Sequence, residues 1–144
     1  MICPQRFQLM MGALLRGTLL CSALGLSLSG CFTSHERGGQ ALYEQHCANC
    51  HGLDGKGLGR LMPPLAGADY LAANRAALPC IVRQGLRGPI SVNGQRYDGL
   101  MPAIGPETLS DADVANVLNY IRQSWGNRAD GLITPQEVSE ARCQ

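Results

Sequence analysis

The most regular hydrophobic pattern in the chain lies between residues 111 and 125. Its apolar side chains recur every three or four residues, the spacing of one face of an α-helix, and they are Val114, Val117, Leu118, Ile121 and Trp125. Ser110 is a candidate N-cap, and Asp111 and Asp113 suit the positive end of a helix dipole. Gly126 follows at a position where glycine commonly ends a helix. The pattern therefore predicts a helix over residues 111–125 that ends at Gly126.

Shorter elements are predicted before this helix. The stretch 40–51 has helical spacing at its start, directly after two glycines. Residues 68–78 are predicted to form a short helix that stops before Pro79, and Pro79 then opens a second one. Further along, apolar and polar positions alternate around Asn93-Gly94, a dipeptide typical of tight hairpin turns. We therefore expect a small two-stranded hairpin there.

An irregular loop and a C-terminal helix complete the predicted layout. Residues 52–67 are rich in glycine and proline, which favours a loop over regular structure. Near the C terminus, Thr134 and Glu137 have the capping-box spacing, and Pro135 stands at the first helical position. These residues predict a short helix within a C-terminal extension, residues 127–144.

Composition narrows the possible functions. The chain has 144 residues, which favours one domain, and its 18 glycines and eight prolines leave little room for long elements. A chain this small, with few large aromatic side chains, has difficulty building a sufficient apolar core alone. A buried prosthetic group would relieve that shortage. The formal net charge is +1, with a single lysine and no basic stripe, so nothing in the sequence points to nucleic-acid binding.

Residues 1–30 have the pattern of a secretory signal. Arg6 and Arg16 precede an uncharged run of apolar and small residues, 17–30. A membrane-spanning helix needs roughly 20 apolar residues, so this run is too short, although an uncleaved anchor that includes Arg16 is the alternative. The run ends in Leu-Ser-Gly-Cys, which resembles the bacterial lipobox, where lipid is attached to the cysteine, here Cys31.

A lipid on Cys31 would tether the protein through a short polar stretch, residues 31–38, because several acyl chains anchor firmly to a bilayer. We therefore expect the protein on the periplasmic side of a bacterial cell membrane. A plain secreted protein with a chance cysteine is the alternative interpretation.

The run Cys47-Ala-Asn-Cys50-His51 is compatible with three chemistries. Structural zinc usually requires a second pair of ligands, but Cys80 and Cys143 stand singly. A thioredoxin-like site follows a strand in a βαβ unit, and nothing strand-like precedes this run. Covalent haem attachment fits better, since two thiols two residues apart match the two haem vinyl groups and His51 follows as an axial iron ligand.

A second axial ligand is expected further along the chain. Met62 lies 11 residues beyond His51, in the loop that leads away from it, whereas Met101 lies 50 residues beyond, which leaves enough chain to wrap the ring. A methionine is ordinarily core filler. Given the haem motif, we predict that Met101 and His51 ligate the iron, with Met62 as the next candidate.

Several motifs together resemble the class I, monohaem cytochrome c family. They are YEQHCANCHGLDGKG, PPLAG, YDGLMP and LSDADVANVLNYIRQSWG, and they cover residues 39–126 in the family's order. The resemblance implies an all-α fold around one covalent haem c, with a minor hairpin flap. It also implies that the first helix, near 39–50, crosses the last, with Gly39 or Ala41 against Tyr120.

The resemblance implies a one-electron carrier rather than an enzyme, with redox proteins as partners and no small-molecule substrate. A dehydrogenase or respiratory complex would donate electrons, and a terminal oxidase or reductase would accept them. The alternatives are a haem enzyme or gas sensor with a labile sixth ligand, and an assembly protein whose haem is structural.

Other residues receive weaker assignments. Cys80 and Cys143 form a disulfide or stay as two free thiols. The carbonyl of Pro63 or Pro64 is expected to accept a hydrogen bond from His51. His46 is interpreted as a surface residue. The candidates for binding the haem propionates, with ordinary packing as the alternative, are Arg60, Tyr70, Arg83, Tyr97 and Trp125.

Overall fold

The computed structural model describes residues 34–143. The predicted signal and Cys31 lie outside the described residues. Within them, no helix has the length and apolar character needed to cross a membrane.

The described chain is mainly helical, with one small antiparallel sheet. The helices are α1 (Ser34–His46), α2 (Ala48–His51), α3 (Asp69–Ala73), a 3₁₀ turn (Arg75–Ala77), α4 (Leu78–Gln84), α5 (Asp111–Gln123) and α6 (Pro135–Ser139). Strands β1 (Ile90–Val92) and β2 (Gln95–Tyr97) pair around the predicted Asn93-Gly94 turn. Helix α1 begins five residues before the predicted start of the domain, so the expected tether overlaps it from Ser34 onward.

Helix α5 starts as predicted but ends earlier. The Ser110 hydroxyl accepts a hydrogen bond from the Asp113 amide, and the Asp113 carboxylate accepts one from the Ser110 amide. The predicted end at Gly126 is wrong, because Ser124 is already extended. The Asn127 side chain donates to the Ile121 carbonyl at 2.8 Å and the Ser124 hydroxyl donates to the Tyr120 carbonyl, so these last-turn carbonyls are satisfied without a further turn.

The crossing of α1 and α5 depends on a small residue. A Cβ on Gly39 would lie 2.8 Å from the Cβ of Tyr120 and 2.5 Å from the Asn116 carbonyl oxygen. Of the two small residues expected there, the structure therefore selects Gly39, while Ala41 is exposed. The apolar face of α5 turns inward, and Val114 and Val117 are almost fully buried.

The segment expected as one helix over residues 68–78 is divided. Helix α3 ends at Ala73, and Leu78 belongs to the next helix. The Asn74 side chain donates to the Tyr70 carbonyl at 3.0 Å, and such local bonds compete with helix continuation. Two hydrogen bonds hold helix α3 to the hairpin. The Asp69 side chain accepts one from the backbone amide of Asn93, and the Asn93 side chain accepts one from the backbone amide of Asp69.

The C-terminal extension packs against two polar residues of α5. The Asn119 side chain, 4% exposed, both donates to and accepts from the backbone of Ile133 at 2.8 Å. The buried Arg122 guanidinium donates to the carbonyls of Asp130 and Gly131. Helix α6 has the predicted capping box between Thr134 and Glu137. Beyond it, the C-terminal cysteine is bonded to α4 in a disulfide, Cys80–Cys143.

Candidate functional site

An apolar cavity brings together the four residues predicted to bind a prosthetic group. Cys47, Cys50, His51 and Met101 all contribute to its lining. The remaining wall is mostly aliphatic and comes from several elements of the core, including Leu78, Ile81, Val82, Val117, Leu118 and Ile121.

The thiol pair stands on a single turn of helix. Cys47 precedes α2, and its carbonyl accepts hydrogen bonds from the amides of Cys50 and His51. This turn places Cys47, Cys50 and His51 close to one another along the cavity edge. Both thiols are free; Cys47 is half-buried and Cys50 is exposed. Burial, and secondly the neighbouring Cys50, raise the pKa of the Cys47 thiol to about 11.

The imidazole of His51 is oriented by a backbone carbonyl. Its Nδ1 atom lies 3.1 Å from the carbonyl oxygen of Pro63, so the structure selects Pro63 over Pro64 for this contact. Burial lowers the pKa of His51, and the Pro63 contact opposes that shift only in part. A neutral ring with its proton on Nδ1 leaves the Nε2 lone pair free to bind a metal.

A glycine allows the loop to reach His51. Gly57 has a φ of +68°, and its Cα packs so closely on the backbone of Met62 and Pro63 that a Cβ there would overlap the Met62 carbonyl oxygen. The loop that sequence composition described only as irregular therefore has a defined path, and that path delivers the Pro63 carbonyl to the imidazole.

Met101 is held by a backbone bridge. Its amide and carbonyl each bond to Leu86 at 3.0 Å, directly after α4. Gly85 has a φ of +74°, and a Cβ on it would overlap the Met101 carbonyl oxygen. Met62 instead lines a smaller adjoining cavity, together with His51 and Met101. The structure thus brings Met101, but not Met62, to the main cavity.

Some of the weaker assignments change. The interpretation of His46 as a surface residue is wrong, because His46 is half-buried and lines the cavity where α1 ends. Arg83 is already engaged, donating to the Leu109 carbonyl at 2.6 Å and to the Asp111 carboxylate at 2.7 Å. Tyr70 lines the cavity, while Trp125 packs among aromatic rings.

The described residues contain no group of three or more histidine, cysteine or acidic side chains arranged to hold a metal ion.

Sequence reasoning overlooked Tyr43, whose hydroxyl is hydrogen-bonded to the end of the helical turn that carries the thiols. Its side chain is fully buried, and its hydroxyl donates to the Gly52 carbonyl at 2.5 Å. Its ring centroid lies 4.8 Å from that of Trp125 and 5.6 Å from that of Tyr120. Burial is the main reason that the pKa of Tyr43 is raised. In the sequence, its position one helical turn before Cys47 could have indicated this role.

The donor set fits a covalently attached haem. Two free thiols and a neutral imidazole share one edge of the cavity, a thioether reaches the same cavity, and the walls are apolar. These are the attachment and axial groups of c-type haem. The fold and the site thus define a small haem protein of the cytochrome type.

Comparison with known proteins places the chain in a family. Residues 35–121 match the family described as cytochrome C oxidase, cbb3-type, subunit III, and the chain belongs to the cytochrome c family that contains this domain. It is 37% identical over 114 residues to cytochrome c-552 of Thermus thermophilus, covering 74% of this chain and 85% of that protein.

Other relatives are cytochrome subunits of dehydrogenases, and the match covers only part of each subunit. The cytochrome c subunit of a quinone alcohol dehydrogenase from Gluconacetobacter polyoxogenes is 37% identical over 105 residues, 72% of this chain but 22% of that subunit. The gluconate 2-dehydrogenase cytochrome c subunit of Pantoea cypripedii is 38% identical over 106 residues, 72% of this chain and 24% of that subunit.

These matches confirm three predictions: membership of the cytochrome c family, a mostly helical cytochrome c fold with a small hairpin, and a covalent c-type haem as the cofactor. Cytochromes c are electron-transfer proteins, and this chain is a cytochrome c electron carrier.

Proposed function

We propose that this protein is a membrane-tethered, one-electron carrier on the periplasmic side of a bacterial cell membrane. Cys47 and Cys50 would hold one haem through thioether bonds, and His51 and Met101 would bind its iron. The observation that carries this proposal is that these four side chains, 54 residues apart at their extremes, line the same apolar cavity.

Each residue has a definite task. The bound haem supplies a one-electron Fe(III)/Fe(II) couple. Pro63 fixes the His51 ring and its tautomer, so that Nε2 is available to the iron. Met101 offers a soft thioether, which favours the reduced metal. The aliphatic walls exclude water and disfavour the extra positive charge of the oxidised state, which acts in the same direction.

The composition of the cavity favours a carrier over an enzyme or a gas sensor. Among the described residues, its lining contains no carboxylate, and the ionisable groups are His46, His51, Tyr70 and the thiols. With both His51 and Met101 bound, the iron would have no position for a substrate or a gas. An enzyme or a gas sensor would need an open position on the iron.

Redox proteins are the partners that this function requires. The relatives named as cytochrome subunits of dehydrogenases support a dehydrogenase as electron donor. An oxidase or reductase is the corresponding acceptor. The lipobox that ends at Cys31, only three residues before α1, supports a lipid tether that keeps the domain near the bilayer.

Two measurements test the ligand assignment. The full chain, expressed with haem-attachment machinery, is expected to carry one covalent haem and, when reduced, to resist carbon monoxide. Met101→Ala is expected to bind carbon monoxide and to have a lower midpoint potential. Met62→Ala is the matched control, and it is expected to resist carbon monoxide and to keep the native midpoint potential. Rapid binding of carbon monoxide by the native protein would instead support the enzyme or sensor alternative.

The tether is tested separately. Cys31→Ser is expected to move the protein from the membrane fraction to the soluble periplasmic fraction without changing the haem spectrum. A native protein that is already soluble in the periplasm would show that it is secreted without an anchor.

A further inference from the structure

The segment that carries Met101 is fixed at its start by the end of helix α4. The amide and carbonyl of Met101 bond to Leu86, and the Ile104 amide donates to the Val82 carbonyl at 2.9 Å. Leu86, Val82 and Ile104 also contribute to the lining of the main cavity. Residues 101–104 therefore lie against the end of α4, and this contact determines where Met101 meets the cavity.

One side chain of α4 holds the far end of the same segment. Within the described residues, the hydrogen bonds that join α4 to residues 105–111 all come from Arg83. Its guanidinium donates to the Leu109 carbonyl at 2.6 Å and to the Asp111 carboxylate at 2.7 Å, with a longer contact of 3.5 Å to the Ile104 carbonyl. Arg83 therefore ties the point where α5 begins to the helix that already holds Met101.

Burial makes these hydrogen bonds difficult to replace. The side chain of Arg83 is only 14% exposed, and Leu109 is 1% exposed. Among the described residues, Arg83 is the only donor to the Leu109 carbonyl. A buried carbonyl that loses its partner is unfavourable, so removal of the guanidinium favours conformations in which residues 101–109 move and water reaches that carbonyl.

We propose that Arg83 is a positioning residue for the axial ligand: by fixing the end of residues 101–109 against α4, it keeps the Met101 sulfur in place for the metal. This inference rests on the ligand assignment proposed above and adds a residue that maintains it. Arg83 lines neither cavity of the site, so it acts through the backbone of Ile104 and Leu109 rather than by contact with the cofactor. This task differs from the propionate binding for which Arg83 was a candidate.

The fork of the guanidinium is what suits arginine to this position. The Leu109 carbonyl and the Asp111 carboxylate are bound by different nitrogens, Nη1 and Nη2. Lysine carries the same charge but has a single ammonium on a flexible stem, so Arg83→Lys keeps the charge and loses part of the geometry. Comparison of Arg83→Lys with Arg83→Gln therefore separates an effect of charge on the midpoint potential from an effect of position on Met101.

Carbon monoxide binding by the reduced, full-length holoprotein measures how often the Met101 sulfur leaves the metal. Arg83→Gln is expected to raise the binding rate about tenfold, the scale of one lost hydrogen bond to a charged group, and Arg83→Lys is expected to raise it by less. Arg75→Gln is the matched control, because Arg75 also donates to a carbonyl, of Leu132, and to a carboxylate, of Glu137, but lines neither cavity of the site. It is expected to lower the urea midpoint and to leave carbon monoxide binding unchanged.

Amide hydrogen exchange supplies a second readout that needs no gas ligand. The amides of Leu86 and Met101 each bond to the other's carbonyl, so their exchange reports how often the segment separates from the end of α4. Exchange at both amides is expected to be faster in Arg83→Gln than in the native protein and unchanged in Arg75→Gln. A general loss of stability would instead increase exchange throughout the fold in both variants.

Several outcomes would overturn the proposal. Equal carbon monoxide binding in Arg83→Gln and Arg75→Gln would make Arg83 merely structural. A lower midpoint potential in Arg83→Gln but not in Arg83→Lys, with native resistance to carbon monoxide in both, would mean that Arg83 acts by its charge alone. Where Arg83→Gln does not fold, Arg83→Lys decides, since an unchanged binding rate there rejects the positioning role. Rapid binding by the native protein would also reject Met101 as the ligand and the carrier function, whereas a resistant native protein with insensitive variants rejects the role of Arg83 alone.

Discussion

Removing the Cys80–Cys143 disulfide is expected to destabilise the protein substantially without altering its haem ligands. The bond joins residues 63 positions apart and ties the C-terminal extension to α4. In the chain-entropy treatment, closing a loop of this length removes about 14 cal/mol/K from the unfolded chain, or about 4 kcal/mol at 25 °C. The covalent haem already restricts the unfolded chain, and the extension keeps its other contacts, so we expect a loss of about 2–4 kcal/mol.

The assay is equilibrium unfolding of the oxidised holoprotein in urea. The double variant Cys80→Ala/Cys143→Ala leaves no stray thiol from this pair, and it is compared with the native protein. Its unfolding midpoint is expected to fall, and its m-value to rise, because an unfolded chain without the bridge exposes more surface. The absorbance of the ligated iron in the folded protein is expected to stay the same, since neither cysteine lines the main cavity.

Two outcomes would refute this reasoning. A loss below about 1 kcal/mol would mean that the bridge does little to restrict the unfolded chain. It would then be redundant with the noncovalent contacts of the extension, including the Asn119–Ile133 pair. A changed iron spectrum would mean that the bridge also determines where α4 places the cavity wall. The Leu132→Ala variant, altered on the surface of the same extension, serves as the control for nonspecific loss.

Three further predictions concern single residues. Tyr43→Phe keeps the ring but removes the hydroxyl that donates to the Gly52 carbonyl. Urea unfolding should therefore show that the free energy of unfolding falls by about 1 kcal/mol. A shifted midpoint potential would indicate that the turn carrying the thiols has moved. Gly85→Ala places a Cβ against the Met101 carbonyl at positive φ and should cost about 1–3 kcal/mol and weaken methionine ligation, measured by carbon monoxide binding. The pKa of Glu137 is lowered, mainly by the hydrogen bond of its carboxylate to Arg75. The carboxylate therefore stabilises the fold at pH values above its pKa in the unfolded chain, and this stabilisation is lost as the pH falls through its pKa in the folded protein. Glu137→Gln should therefore flatten the fall of the urea midpoint below about pH 4.5, and an unchanged pH profile would contradict that assignment.

The parts of the fold that could be predicted from sequence are those determined by neighbours in the chain. The N-cap at Ser110, the Asn93-Gly94 hairpin and the Thr134 capping box each depend on residues within three or four positions, and all are present. The haem motif is equally local, because its thiols and imidazole belong to one turn. Membership of the family followed from several such local motifs in the right order.

Two features were misplaced or left open because distant segments decide them. The end of α5 depends on Asn127, whose side chain bonds to both Ile121 and Leu65, and Leu65 is 62 residues away. The choice of Pro63 for His51 depends on how closely Gly57 lets the loop approach itself. No pattern within a short window contains these contacts, so the sequence misplaced the end of α5 and left both Pro63 and Pro64 as candidates.

The polar side of α5 shows why burial is harder to predict than helix formation. Asn119 and Arg122 lie outside the apolar spacing of this helix, and polar residues at such positions normally face water. Here the extension covers them, and it supplies backbone groups of Asp130, Gly131 and Ile133 as hydrogen-bond partners. An unpaired buried guanidinium would be costly, so Arg122 in turn requires the extension to stay in place. Because the extension lies beyond the family-matched residues 35–121, these contacts join the matched cytochrome domain to a segment that the family match does not cover.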